Sequence, residues 1–273
     1  MTWLLDCDGV VWLSDQPIPG ASEAVNRLRS SGTRVVLLTN NSYPRRSDHL
    51  AKLDRLGMPT DEADVLSSAM AAALLLEPGE RALVLGGPGV MEELAARGVT
   101  TVTPGEGREI GPVDAVVVGM FPSFDYAALA VAATALHAGA RLIGTNEDAT
   151  FPTPDGMLPG AGSLLSAVAV AGQVEPTVAG KPYPPTVGLV HERVGEVEIV
   201  VGDRASTDGL LARRLETRFG LVLSGITPPG HPRLDPEPDL EAPDLLSLVH
   251  AVGAELGGLA PGSSGKVDPR GRA

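Results

Sequence analysis

The chain has 273 residues, of which 43% are hydrophobic and 20% charged, with a formal net charge of -13 and a single cysteine. Such a length and apolar content fit a soluble globular protein in two parts around a large core. The acidic balance excludes nucleic acid as a partner, because that affinity comes from lysine and arginine patches, and the lone Cys7 excludes an internal disulfide framework and fits a reducing interior. No basic segment precedes an apolar one at the start, and no apolar run reaches the roughly 18 residues of a spanning helix. A cytoplasmic location without a membrane partner is therefore expected, and the glycosylation-like Asn40-Asn41-Ser42 is not expected to be used.

Trp3-Leu4-Leu5 reads as a short buried strand that breaks into acid at Asp6 and Asp8 before Gly9 frees the backbone to turn. Successive side chains of an extended segment alternate, so Asp6 and Asp8 look the same way while Cys7 looks away as a small core hydrophobe. Two like charges this close either share a proton or recruit a cation. Ser22 is the expected cap of a helix with Ala24, Val25 and Leu28 inward, ending near Gly32. Arg34 to Leu38 is a near-continuous apolar strand of the parallel-sheet kind and ends in Thr39-Asn40-Asn41. Leu50, Leu53 and Leu56 mark the next helix, stopped at Gly57, and Val65-Leu66 runs into Ser67 and Ser68 as a further strand-to-helix turn.

After Pro78-Gly79 the alternation repeats. Strands are predicted over Arg81 to Leu85, Ala115 to Val118 and Arg141 to Ile143, with one helix ending near Gly98 and another over Ala127 to Leu136. This unit closes with Thr145-Asn146-Glu147-Asp148 and the small-residue turn Pro159 to Ser163, which opens another apolar helix. Gly86-Gly87-Pro88-Gly89 lacks the G-x-G-x-x-G spacing of a dinucleotide turn, and no Ser or Thr follows the loop lysine of Gly180-Lys181-Pro182 as a Walker loop requires. Glu198 to Val201 is the last strong strand and ends in a third acidic tip, Gly202 to Asp208. Phe219 to Leu223 gives another strand, Pro228 to Pro243 a proline-rich loop, Leu245 to Leu256 a closing helix, and residues 257–273 a tail expected to be disordered. His49, His137, His191, His231 and His250 show no metal-ligand spacing and are expected on surfaces or helix faces.

The pattern predicts an α/β protein. A doubly wound, parallel-sheet, Rossmann-like core (1–79 and 178–256) would carry a second, smaller α/β cap domain (80–177) as an insert. In an open parallel sheet the strand carboxyl ends share one edge, and ligands bind there. The tips Asp6/Asp8, Thr39/Asn40 and Asp203/Asp208 are therefore expected to converge. In a chain this acidic, an anionic substrate would also need a local cation.

Asp6-x-Asp8-Gly9-Val10, Thr39-Asn40-Asn41, Gly180-Lys181-Pro182 and Gly202-Asp203-x-x-x-Thr207-Asp208, in this order, resemble the four motifs of the haloacid dehalogenase-like (HAD) hydrolase superfamily. The long insert between the second and third motifs is similar to that of subfamily IIA, which includes 4-nitrophenylphosphatases, phosphoglycolate phosphatases and sugar or nucleotide phosphatases. Thr145-Asn146-x-Asp148 and Pro159-Gly160-x-Gly162 also resemble the cap of this subfamily, and the resemblance spans Asp6 to about Asp244. It implies a Mg²⁺-dependent phosphatase that hydrolyses a small phosphomonoester through an aspartyl-phosphate intermediate. By that resemblance Asp6 is the nucleophile, Asp8 the general acid and base, and Lys181 the cation that stabilises Asp6 and the phosphoryl group. Mg²⁺ would take Asp6, the Asp8 backbone carbonyl and Asp203, with Asp208 in support. Thr39 and backbone N–H groups around Asp8, Gly9, Asn40 and Asn41 would cradle phosphate, while Asn146, Glu147 and Asp148 would read the leaving group. If Glu147 and Asp148 face the substrate they repel a second carboxylate, which favours a hydroxyl-rich or nucleoside leaving group over phosphoglycolate. Cys7 and Arg204 to Ser206 fill permissive positions. The sequence leaves a homo-oligomer open, and the alternative reading is a phosphoacceptor signalling or non-catalytic phosphate-binding module.

Overall fold

Three apolar runs that are far apart in the chain become neighbours in the computed structural model, which describes residues 1–105, 110–153 and 156–255. Thr2–Leu5 lies between Ile199–Gly202 and Arg34–Thr39 in a parallel sheet ordered Leu240–Ala242, Arg218–Val222, Ile199–Gly202, Thr2–Leu5, Arg34–Thr39, Val65–Ser67. Leu5 is level with both Leu37 and Val201, so the residues that follow all three strands form one rim. Both faces of the sheet are covered, which is why the strands read as unbroken apolar runs. Leu4, Val36, Leu38 and Val200 pack against the helices Ser68–Ala73 and Pro184–Arg193. Trp3, Leu5, Val35, Leu37 and Val201 pack on the other side against Ala21–Ser30 and Leu245–Glu255. Each such buried Val or Leu side chain contributes roughly 1.5–3 kcal/mol.

The insert forms a second parallel sheet ordered Thr177–Val178, Arg141–Gly144, Ala115–Val118, Arg81–Leu85, Thr100–Val102. Val178 still pairs with Gly144, so the chain leaves this sheet at Ala179, one residue later than the sequence boundary. The two sheets share a core. Every residue of the Ser68–Ala73 helix is buried, and this helix joins Ala82, Val84, Val90 and Leu94 of the insert to Val36 and Leu38 of the first sheet. Its small side chains let it pack closely between the Pro88–Ala96 and Pro184–Arg193 helices.

Several local expectations shift. The first helix is preceded by Gly20 at φ +81, and the Ser22 hydroxyl instead donates to Gly57 O at 3.1 Å. The proline-rich loop holds the strand Leu240–Ala242, and two hairpins not read from the sequence, Trp12–Leu13 with Gln16–Pro17 and Thr150–Thr153 with Gly156–Pro159, flank the rim. His49 lies on the inward face of the helix Arg46–Arg55, at 4% exposure. The tail 257–273 lies outside the described residues. Among the described residues no helix is long and apolar enough to cross a membrane.

Candidate active site

Asp6 leaves its strand with its own N–H still donated to Val201 O at 2.8 Å. Gly9 then turns the chain at φ +85, where a Cβ would stand 2.3 Å from Asp203 Oδ2, so both conformation and space demand glycine. Asp203 emerges from the Ile199–Gly202 strand, and one wide turn, Ala205–Gly209, brings Asp208 back against the Gly202 backbone. One carboxylate oxygen from each of Asp6, Asp203 and Asp208 lies within 4.8 Å of the others.

Lys181 reaches this cluster from the chain's return out of the second sheet. Its Nζ lies 2.7 Å from Asp6 Oδ1 and 2.7 Å from Asp208 Oδ1, with the side chain 3% exposed. Asn40 sets its backbone in place, accepting from Lys181 N at 2.8 Å and donating Nδ2 to Lys181 O at 3.3 Å. Burial alone would lower the ammonium's pKa, but Asp208 and Asp6 outweigh it and hold the group above its ordinary value. Burial pushes Asp6 well above the usual carboxylate range; Lys181 opposes this, while Asp208, Asp203 and Asp8 reinforce it. Burial and then Asp208 push Asp203 up to about 6, against the N–H that Ile226 donates at 2.6 Å. Three carboxylates around one ammonium leave a deficit of positive charge, and an all-oxygen donor set suits a hard divalent cation. The residues present therefore fit Mg²⁺.

Asp8 stands beside this cluster on the same wall. Its Oδ1 accepts from Trp12 Nε1 at 3.0 Å and its Oδ2 lies 3.5 Å from Thr39 Oγ1. Thr39 is 1% exposed and its hydroxyl accepts from Asn41 N at 3.0 Å, so it braces Asp8 and the next loop rather than opening onto the cavity. The Gly9 N–H, expected to face phosphate, is donated to Trp12 O at 2.7 Å. Cys7 is buried and takes no part; burial, then Asp6 and Asp8, push its thiol well up. Above the rim opens a cavity of about 720 Å³, floored by Asp6, Asp8, Asn40 and Asn41 and roofed from the insert by Met120, Asn146, Asp148 and Phe151.

The insert is tied to the core directly over the site. Asn146 Nδ2 donates to Asn40 O at 2.8 Å, Asn40 Nδ2 donates to Asp148 Oδ2 at 3.1 Å, and Ser42 and Thr145 share a hydroxyl bond of 2.9 Å. Arg204, dismissed as permissive from the sequence, donates Nη1 to Asp148 Oδ1 at 2.9 Å. Gly160 and Gly162 pack on the backbone of residues 147 and 148, where any side chain would collide. Glu147 goes elsewhere: it is exposed, lies near the Tyr183 phenol and borders a separate depression with Gln173 and Glu175. Burial, and then the neighbouring Glu147, push the Tyr183 phenol up to about 12. Asp148 is thus paired with Arg204 and Glu147 turned away, so the two do not together present free carboxylates to the cavity, the condition on which the expected repulsion of a second substrate carboxylate rested. The signal missed for Arg204 was the charge complement of an acidic cap residue beside a site that binds anions.

A family profile described as haloacid dehalogenase-like hydrolase matches residues 3–100, and one described as HAD-hydrolase-like matches residues 178–248. Human glycerol-3-phosphate phosphatase is 36% identical over 267 residues, covering 87% of this chain and 83% of that protein. Phosphoglycolate phosphatase 2 of Arabidopsis thaliana is 33% identical over 251 residues, covering 83% of each chain. The crystal structure of a glycerol phosphate phosphatase from Mycobacterium tuberculosis in complex with magnesium has a TM-score of 0.79 at 35% identity, covering 90% of this chain and 75% of that one.

Proposed function

We propose, for a chain that belongs to the haloacid dehalogenase-like hydrolase family, that Asp6 accepts the phosphoryl group of a short alkyl phosphate such as a glycerol phosphate and that Asp8 moves the protons. The chain is a Mg²⁺-dependent phosphoric monoester hydrolase. The observation that carries the assignment of roles is Lys181 Nζ at 2.7 Å from both Asp6 and Asp208, at the floor of an open cavity. An ester phosphate repels an anionic nucleophile, so its charge must be offset before attack. Mg²⁺ held by Asp6, the Asp8 carbonyl and Asp203 would neutralise phosphoryl oxygens, with Asp208 steadying the set through Lys181.

Asp6 attacks phosphorus as the bond to the leaving oxygen breaks, and Asp8 gives that oxygen a proton. Water then attacks the acyl phosphate while Asp8 takes its proton back, which frees phosphate and restores Asp6. Lys181 stays charged throughout and balances Asp6 before attack and the phosphoryl oxygens after it. Residues 1–79 and 179–256 serve as the catalytic core and 80–178 as the cap that reads the leaving group through Asn146 and Asp148. With Asp148 paired to Arg204, the same roof tolerates the carboxylate of phosphoglycolate as well as a polyol. We place the enzyme in the cytoplasm, acting on a small molecule without nucleic acid or membrane, and leave assembly into a homo-oligomer as compatible with this reading.

The test is Asp6→Asn, a nearly isosteric change, assayed on glycerol phosphate and 4-nitrophenyl phosphate. Turnover should fall at least about 100-fold with the fold retained, and EDTA should silence the native enzyme reversibly. Activity surviving either treatment would refute the roles given to Asp6 and the metal.

A further inference from the structure

We propose that Trp12 is a positioning residue that fixes which oxygen of Asp8 carries the transferred proton, an inference that rests on Asp8 acting as acid and base. Trp12 is 2% exposed, its backbone N–H goes to Cys7 O at 3.1 Å, and its carbonyl accepts from Gly9 at 2.7 Å. The indole is thus anchored to the loop that bears Asp8. Its Nε1 donates to Asp8 Oδ1 at 3.0 Å. An indole nitrogen only donates, so Oδ1 must present a lone pair in either protonation state of the carboxyl. A protonated oxygen can still accept, but the carbonyl oxygen is the stronger acceptor, so the indole bond favours the proton on Oδ2, where the Thr39 hydroxyl at 3.5 Å makes only a weak contact.

Two further residues hold the ring. Lys52 Nζ stands 4.2 Å from the ring centroid while donating to Ser14 O of the same hairpin. The buried His49 imidazole stacks with the indole at 6.5 Å between centroids and 13° between planes. Turning the indole away from Asp8 would break the hydrogen bond, the cation–π contact and the stack together. A carboxylic acid free to place its proton on either oxygen offers it to the leaving group only part of the time. The indole restricts that freedom before substrate arrives.

Trp12→Phe keeps an aromatic ring and deletes the donor. An alkoxide cannot leave without a proton, whereas 4-nitrophenolate leaves as a delocalised anion, so the two substrates separate proton delivery from everything else the site does. We expect kcat/KM for glycerol phosphate to fall about tenfold or more and that for 4-nitrophenyl phosphate by less than about threefold. Because Asp8 also activates the hydrolytic water, a burst of about one equivalent of 4-nitrophenolate should precede a slower steady state. Equal losses on both substrates, or no loss, would overturn the inference. Asp8→Asn run alongside separates the two readings: no substrate split in it removes the acid–base role, whereas a split there but not in Trp12→Phe removes only the role of Trp12. If Trp12→Phe does not fold, ¹⁵N-indole spectra of the native protein and Asp8→Asn decide, since only Trp3 and Trp12 contribute. One indole signal must move; two unmoved signals overturn the proposal.

Discussion

Lys181→Met removes the ammonium that joins Asp6 to Asp208 while keeping an unbranched side chain in a site only 3% exposed. At 2.7 Å and an effective dielectric of about 20, each of its two ion pairs has a gross Coulomb attraction of roughly 6 kcal/mol. Much of that is offset by desolvating the ammonium, so the net cost of leaving its buried partners uncompensated is about 3–5 kcal/mol. The cost should depend on pH, with a definite sign. Lys181 has a folded pKa above its unfolded value, so it is charged in both states below about 10 and does not itself titrate in the working range. Asp6 and Asp203 have folded pKa values raised above the unfolded value of about 4, so the native state binds extra protons and stability falls as pH rises from there through the folded pKa, about 6 for Asp203. Removing Lys181 raises both further and steepens that fall. Urea unfolding in EDTA should therefore show a larger loss near pH 8 than near pH 5.5, accompanied by a drop in kcat of at least about 100-fold with Mg²⁺ restored. A stability loss below about 1 kcal/mol near pH 8, or one equal at both pH values, would refute the reasoning.

Mg²⁺ and protons compete for the same carboxylates, so the rise in Tm from saturating Mg²⁺ should be greater near pH 8 than near pH 5.5, on either side of the Asp203 value of about 6; equal rises would contradict a shared site. Gly9→Ala imposes φ +85 on a residue with a Cβ 2.3 Å from Asp203 Oδ2. It should cost about 1–2 kcal/mol or more in urea unfolding and weaken Mg²⁺ binding in calorimetry, and unchanged values of both would sink the packing argument. Arg204→Gln leaves Asp148 anionic over the cavity from a pair with side chains 27% and 22% exposed. Stability should change by less than about 1 kcal/mol, while kcat/KM falls more for phosphoglycolate than for glycerol phosphate; the opposite order would show that Asp148 does not face the leaving group.

The convergence of the carboxylate rim was legible because its signal is local and its meeting point follows from topology. Each of the runs ending at Leu5, Thr39 and Gly202 is apolar until it reaches the sheet edge, and parallel pairing of the three places their tips together. The hairpins were not legible for a physical reason. Trp12–Leu13 with Gln16–Pro17 is too short to show a period, and Pro152 and Pro159 in the other argue against a strand unless it lies at an edge. Side-chain partners across the fold were beyond reach altogether. Glu147 and Asp148 are adjacent carboxylates, yet one lies near Tyr183 and the other pairs with Arg204, because the Gly160 and Gly162 contacts fix the path of the backbone between them. Charge read along the chain therefore misjudged the roof, where the polarity that a substrate meets depends on which carboxylate finds a guanidinium. Within the lining of the cavity the acid contributed by the cap is Asp148, and its pairing with Arg204 leaves the roof above Asp6 without the free carboxylate expected from the sequence.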